Sequence, residues 1–377
     1  MLRRLATLAL VSGVALSATA AQNIKIGVFL PMSGDQSSFG DETMSGVKMA
    51  VEEINAGKDF KIELFTQDEK SNPTDSANAV KKLINVDKVD VVVGTVASSN
   101  TNAAAPIAQA AKVPLMSPTS TNVKVTDVGE YVSRICFIDD FQGSAMAKFA
   151  LKPKAEGGLG AKTAVLVIDS SSEYSKGLSA AFREVFTKNG GKIDNDGEIF
   201  YVQKDRDFSS LLTKIKRKKP DVVFAPGYYT EIGNMIRQAH TFGITAKFLG
   251  GDGWSAPQLF TLAGEKAIVG HYFSDHFSHE DTDPAVQDFV KRYRAKYGKD
   301  APGMAALGYD SIRVVIDAAK RAGKVERTAL MKAINSTKGF KGVTGVITLD
   351  AKRNANKPLV ILETQKDRAT FKTRVNP

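Results

Sequence analysis

Two series of strand-like segments, each alternating with helix-like segments, constrain the fold of this chain more than any other feature. The first series begins with the apolar run at 25–30, and apolar residues then recur at spacings of three and four along 44–54, as on one face of an amphipathic helix. The second series begins with the apolar run at 162–169. Strands that alternate with helices form parallel sheets covered on both faces. We therefore predict an α/β protein with two Rossmann-like lobes.

The chain of 377 residues is too long for one core of ordinary size, and the two series suggest where it divides. Segments 90–121 and 221–254 share an aspartate before a β-branched strand, then a helix, then a second strand that ends in a polar loop. We predict two similarly built lobes joined by hinge strands. Lobe 1 comprises 22–139 and 275–347, and lobe 2 comprises 140–274 and 348–377. Near the end of the chain, segments 342–350 and 357–365 are predicted to form a closing pair of strands.

Residues 1–21 have the pattern of a cleaved secretory signal peptide. Arg3 and Arg4 precede a short apolar run, and small residues follow at 18–20. The run is too short and wrongly flanked for a membrane-spanning helix, so we expect export. The single cysteine, Cys136, lies in an apolar strand-like run, which favours a buried side chain and rules out an internal disulfide.

The formal net charge of +10 would suit nucleic acid or an anionic surface. Export argues against nucleic acid. The densest basic run, at 216–219, ends a helical pattern just before Pro220, where cations face the negative end of the helix dipole. We predict no nucleic acid partner.

The common enzyme motifs are missing from the sequence. No dinucleotide-binding glycine pattern follows a strand, and neither a phosphate-binding loop nor a nucleophile elbow occurs. Three of the four histidines, His271, His276 and His279, lie in HYFSDHFSHEDTD. Their spacing fits no compact metal-binding helix pair, and we interpret this segment as a solvated loop. We predict no catalysis, no metal and no cofactor.

Polar side chains follow the predicted strands of both lobes. Ser98, Thr119 and Thr121 follow strands of the first series, and Tyr228 and Asp252 follow strands of the second. In open α/β sheets, ligands bind beyond the carboxyl ends of the strands. Hydroxyls and helix-start amides suit a carboxylate, whereas an acid and phenols suit an ammonium. The pattern predicts a site for the constant part of an α-amino acid. A helix cap at Ser98, a core tyrosine at Tyr228 and an ordinary turn at Asp252 stay open as alternatives.

Several segments resemble the periplasmic binding proteins for branched-chain amino acids and related solutes, which are type I and leucine-binding-protein-like and serve ABC importers. They are IKIGVFLPMSGDQSSFGDETMSGVKMAVEEINA, VVVGTVASSNT, VPLMSPTST, SSSEYSKGL, PGYYTEIGNMIRQA and FLGGDGW. The resemblance covers nearly all of the mature chain. It implies the type I periplasmic binding protein fold, a periplasmic location and a monomer. It also implies an amino acid ligand that is delivered to the membrane permease subunits of an importer.

The resemblance also implies roles for the polar residues. Ser98 and Thr121 resemble the side-chain ligands of the carboxylate, and Thr119 resembles a residue that binds through its backbone. Tyr228 and Asp252 resemble the partners of the ammonium group, although the leucine-binding type has glutamate at the position of Asp252.

Other pocket residues follow from the same resemblance. Tyr174 resembles the tyrosine that closes over the ligand, and Phe39 stands where an aromatic residue packs on the ligand side chain. We also assign Val96 and Ala97 to the pocket, with Trp254 as a candidate wall. Two alternatives stay open: a binder of an aromatic or short-chain carboxylic acid or amide for the same class of transporter, and a protein that presents its ligand to a sensor.

Overall fold

The computed structural model of the protein describes residues 21–377. The predicted signal peptide lies outside the described residues except for its last position, so it stays a prediction. Among residues 21–377, no helix has the length and apolar character needed to cross a membrane.

The first series forms a five-stranded parallel sheet. Its strands are β1 (Gln22–Leu30), β2 (Phe60–Asp68), β3 (Val91–Gly94), β4 (Leu115–Ser117) and β5 (Val132–Arg134), in the order β2-β1-β3-β4-β5. Helices α1 (Ser37–Ala56), α2 (Pro73–Asn85), α3 (Ser98–Ala110), α4 (Lys124–Asp127) and α5 (Asp139–Leu151) follow the strands. All four residues of β3 are buried, as expected for a central parallel strand covered on both faces.

The second series forms most of a seven-stranded sheet. Its parallel strands are β6 (Ala164–Asp169), β7 (Glu198–Tyr201), β8 (Val222–Phe224), β9 (Lys247–Gly250) and β10 (Tyr272–Asp275). Its helices are α6 (Glu173–Lys188), α7 (Ser209–Lys218), α8 (Tyr229–Thr241) and α9 (Gln258–Ala263). The predicted α/β class with two parallel, Rossmann-like sheets is confirmed.

The last hundred residues add three helices, a separate three-stranded sheet and two strands of the second sheet. They form α10 (Pro284–Tyr297), α11 (Gly303–Ala322), α12 (Arg327–Asn335), β11 (Phe340–Gly342), β12 (Gly345–Leu349), β13 (Ala355–Asn356), β14 (Leu359–Thr364) and β15 (Ala369–Val375). Strands β14 and β15 join the second sheet in antiparallel fashion, which gives the order β15-β14-β10-β9-β8-β6-β7.

Helix α11 packs directly against α1 through two glycines. A Cβ atom on Gly46 would lie 1.8 Å from the Ala305 carbonyl oxygen, and one on Gly308 would lie 2.2 Å from that of Thr43. Only glycine allows the two backbones to approach this closely. A late helix therefore covers the first helix of the fold.

Two sequence predictions are wrong. The strands predicted at 342–350 and 357–365 do not pair with each other, because β12 pairs with β11 and β13 whereas β14 pairs with β10 and β15. The histidine-rich segment is not a solvated loop. It contains β10, all of whose residues are buried, and His276 is only 3% exposed.

Candidate functional site

One small cavity is lined by eight of the nine predicted site residues. The predicted residues that line it are Phe39, Val96, Ser98, Thr119, Thr121, Tyr174, Tyr228 and Asp252, and Gly253 and Met304 complete the lining. Ala97 does not line the cavity; it is the buried cap residue of α3. The cavity therefore has walls from both sheets. That these residues bind a ligand stays a prediction.

A buried acid positions the loop that carries Val96 and Ser98. Glu69, just after β2, accepts hydrogen bonds from the hydroxyls of Ser76 and Thr95, each at 2.9 Å, and from the Asn100 amide at 2.6 Å. Burial raises the pKa of Glu69, while these hydrogen bonds act in the opposite direction. The carboxyl group thus ties the loop after β3 to the end of β2.

Hydroxyl groups join the loops that follow β3 and β4. The Ser120 hydroxyl donates to the Val96 carbonyl oxygen at 2.9 Å and lies 2.6 Å from the Thr101 hydroxyl, and the Thr119 hydroxyl donates to Val96 at 3.2 Å. Ser98 Oγ accepts from the Asn122 amide at 3.2 Å. Helix α3 begins at Ser98, and its N-cap residue is Ala97, which makes no side-chain cap hydrogen bond. Ser98 is therefore not the cap of this helix. The hydroxyls of Ser98, Thr119 and Ser120 therefore hold the loops after β3 and β4 together.

Two tyrosines form the opposite wall. The Tyr174 and Tyr228 rings stack with their centroids 5.4 Å apart, and Phe39 meets Tyr228 edge-on at 6.2 Å. The Tyr174 hydroxyl oxygen accepts from the Gly253 amide at 3.1 Å. Burial raises the pKa of both phenols above the usual value, so both hydroxyls stay protonated at neutral pH and can donate.

Asp252 has one bonded and one free carboxylate oxygen. Its Oδ2 lies 3.1 Å from His276 Nε2, whereas Oδ1 has no hydrogen-bond partner although the residue is only 4% exposed. Burial lowers the pKa of His276 to about 4, so the imidazole is neutral at pH 7 and donates from Nε2. A buried oxygen without a partner is costly. Asp252 therefore has one carboxylate oxygen that can accept a further hydrogen bond.

Sequence reasoning missed the residues that hold Asp252 in place. His276 stacks on Phe137 with ring centroids 3.7 Å apart, and the Gln142 side-chain oxygen accepts from the Asp252 amide at 2.8 Å. Asp139, one turn before Gln142 on α5, is buried with both carboxylate oxygens unpartnered. Burial, reinforced by nearby Asp252, raises the pKa of Asp139 well above its usual value. Asp252 thus has as neighbours a neutral imidazole and a buried carboxyl group whose pKa is raised.

Trp254 and Cys136 are both core residues. Trp254 is fully buried, and its indole nitrogen donates to the Ala225 carbonyl oxygen at 3.1 Å; it does not line the cavity, so the candidate wall is not formed by this residue. Burial raises the pKa of the Cys136 thiol to about 12, in line with the predicted buried side chain.

Hydrogen bonds between the two sides close both rims of the cavity. At one rim, the Glu173 amide donates to Ser99 Oγ at 3.1 Å and the Asn122 side chain donates to the Glu173 carbonyl oxygen at 2.7 Å. At the other rim, the Ser38 hydroxyl donates to the Gln258 side-chain oxygen at 2.5 Å and the Ser38 amide donates to the Tyr229 hydroxyl oxygen at 3.3 Å. In this structure the two walls are therefore joined directly by hydrogen bonds.

Known proteins are similar to this chain over almost its whole length. The profile of the family described as periplasmic binding protein matches residues 23–369. The Leu/Ile/Val-binding protein homolog 3 of Brucella melitensis is 30% identical over 95% of both chains.

Two solved structures are also similar. The leucine binding protein LivK of Thermotoga maritima has a TM-score of 0.89 and 39% identity, covering 94% of this chain and 99% of its own. The branched-chain amino acid transporter substrate binding protein LivJ of Streptococcus pneumoniae, in complex with isoleucine, has a TM-score of 0.85 and 33% identity, covering 94% and 100%.

Proposed function

Because the chain belongs to the periplasmic binding protein family, we propose that it captures a branched-chain or other hydrophobic α-amino acid and delivers it to an ABC importer. Proteins of this family bind solutes and are not enzymes. We further propose that the protein is exported through its signal peptide, acts in the periplasm as a monomer and docks on the membrane permease subunits of the importer.

The observation that carries the proposal is the free Oδ1 of Asp252 in the wall of the cavity. An ammonium group placed there would supply the missing donor and a countercharge, and each hydrogen bond of this kind contributes about 1.5–3 kcal/mol. The protonated hydroxyls of Tyr174 and Tyr228 line the same cavity. A carboxylic acid without an ammonium group would leave Asp252 unpaired.

The wall that faces Asp252, Tyr174 and Tyr228 supports binding of the carboxylate. Ser98, Thr119 and Thr121 line it. The Thr119 hydroxyl already donates to the Val96 carbonyl oxygen, so the neutral donors for a carboxylate are the hydroxyls of Ser98 and Thr121 and the backbone amide of Thr119. The remaining lining is apolar, with Phe39, Val96 and Met304. We propose that the ligand carboxylate faces the hydroxyls and that its side chain packs on the apolar residues.

The rim contacts support capture by hinge closure. We keep the predicted lobe boundaries as part of this proposal, with the carboxylate bound by lobe 1 and the ammonium by lobe 2. A ligand shifts a conformational equilibrium only by its difference in affinity for the two states. A zwitterion that contacts both walls only when the rims are closed meets this requirement.

A ligand screen on the mature protein tests the proposal. We expect leucine, isoleucine or valine to raise the melting temperature and to bind in calorimetry, since a ligand that binds only the folded state stabilises it. The matched control is 4-methylpentanoic acid, which is leucine without its ammonium group and should bind far more weakly. Equal binding of the two compounds would instead support the alternative of a carboxylic acid binder.

A further inference from the structure

A second cavity, partly open to solvent, lies beside the first and is larger, with a volume of about 280 Å³ against about 10 Å³. We call it the second pocket. Two buried acids, Glu42 and Asp275, line it, together with the aromatic side chains of Phe260, Phe273 and Phe277. Its other charged lining residues are Asp300, Asp367, Lys299 and Arg368. None of these residues lines the first cavity, and none has a part in the function proposed above.

Glu42 is the unsatisfied group of the second pocket. Its side chain lies on α1 and is 4% exposed, and its Oε2 has no hydrogen-bond partner. Burial raises the pKa of Glu42 to about 8; the nearby Asp275 and Asp41 raise it further and Lys299 lowers it. Buried polar atoms nearly always have a partner. The free oxygen of a carboxyl group in a cavity wall therefore points to a donor that enters the cavity.

Asp275 adds a second acid at the carboxyl end of β10. It is 3% exposed and accepts hydrogen bonds from the Ser255 hydroxyl at 2.5 Å and the His276 amide at 2.6 Å. Burial raises the pKa of Asp275 to about 7; Asp252 adds to this shift, and Lys357 opposes it. The lining carries four acids against two bases, Lys299 and Arg368, so its formal charge is negative. A cationic occupant is favoured, because it would stabilise Glu42 and Asp275 in their charged form.

The walls indicate what kind of cation fits. Three phenylalanines line the pocket, and aromatic faces attract both hydrocarbon and ammonium groups. A divalent metal ion needs about six oxygen ligands, and among residues 21–377 no group of three or more potential metal-binding side chains occurs. The lining therefore suits an organic ammonium better than a metal ion.

We propose that the second pocket binds a small organic ammonium ion with an apolar body, with Glu42 as its countercharge. The pocket is separate from the first cavity but shares its supporting elements. Three segments contribute residues to each cavity. Phe39 on α1, Gly253 after β9 and Met304 at the start of α11 line the first cavity. Their near neighbours Glu42, Ser255 and Gly303 line the second pocket.

The probe for this site is 3-methylbutylammonium, which is leucine without its carboxylate. We expect saturable binding in calorimetry, also in the presence of saturating leucine.

Glu42→Gln should weaken the binding of this amine by about tenfold or more, because a charge-assisted hydrogen bond is lost, while leucine binding is unchanged. Asp252→Asn should show the opposite pattern, with leucine binding weakened and amine binding retained. The uncharged 3-methylbutanol is the control ligand and should not bind measurably.

Measuring both ligands on both variants distinguishes the second pocket from the first cavity. If the amine does not bind, or if leucine displaces it, the second pocket is not an ammonium site. Loss of amine binding in Asp252→Asn but not in Glu42→Gln would place the amine in the first cavity and overturn the proposal. Glutamine has the shape of glutamate, and the melting temperature of unliganded Glu42→Gln shows whether that variant folds.

Discussion

Replacement of Asp252 by asparagine is the sharpest perturbation of the proposed amino acid site. Asparagine keeps the shape of the side chain, and its carbonyl oxygen can still accept the hydrogen bond that His276 Nε2 donates at 3.1 Å. The side chain that faces the cavity loses its charge, so the ligand ammonium loses its countercharge. The fold should therefore survive while binding weakens.

The magnitude follows from the burial of the site. Opposite charges about 4 Å apart interact by about 4 kcal/mol at an effective dielectric constant of about 20. Removal of one partner from a buried, hydrogen-bonded charge pair costs about 2–5 kcal/mol. Each 1.4 kcal/mol is about tenfold in affinity, so leucine should bind Asp252→Asn roughly 30- to 4,000-fold more weakly.

Calorimetry with leucine and with 4-methylpentanoic acid on both proteins isolates the ammonium contact. The variant should lose leucine affinity but bind 4-methylpentanoic acid as well as or better than the wild type, since this ligand carries no charge that Asp252 could pair. Asp140→Asn makes the same change of charge at an exposed position and should leave both affinities unchanged. Unchanged leucine affinity in Asp252→Asn, with an unchanged melting temperature, would refute the assignment of Asp252 to the ammonium.

Two further predictions concern stability. Burial lowers the pKa of His276 to about 4, below its unfolded value of about 6.5, so the stability that this residue contributes is present above pH 6.5 and is lost as the pH falls towards 4. In urea unfolding, the stability of wild type relative to His276→Gln should therefore decrease by on the order of 2 kcal/mol between pH 7.5 and 4.5, and a constant difference would contradict the buried neutral imidazole. Gly46→Ala would place a Cβ 1.8 Å from the Ala305 carbonyl oxygen and should destabilise the protein by about 1–3 kcal/mol or more; Lys48→Ala on the exposed face of the same helix is the control, and equal stability of the two variants would argue against the close contact of α1 and α11.

The sequence predicted the fold class well because the alternation of apolar strands and amphipathic helices repeats in both halves. It missed β15, whose seven residues are all exposed or half-buried and whose sequence ATFKTRV carries two basic residues. Without β15, the last strands were paired with each other. The sequence of an exposed edge strand shows little hydrophobic pattern. Whether such a segment forms a strand depends on the neighbouring strand with which it pairs.

The candidate site was predicted in part for the same reason. Polar residues after parallel strands can be read from the sequence, and six predicted polar residues do line one cavity, together with the predicted apolar residues Phe39 and Val96. The contact between His276 and Asp252 was missed because the strand before His276 was interpreted as a loop. Strands β9 and β10 are parallel neighbours, so the residues that follow them meet at one edge of the sheet. A strand at 272–275 implies that His276 lies beside Asp252.

The contact of α11 with α1, together with the place of β14 and β15 in the second sheet, has a consequence for biosynthesis. The first helix to leave the ribosome finds its covering helix only when most of the polypeptide has been made, and the second sheet acquires its antiparallel edge from the final residues. Contacts this distant along the chain slow folding. An incomplete polypeptide would therefore leave apolar surface exposed for a long time, and such surface is what chaperones recognise and what drives aggregation.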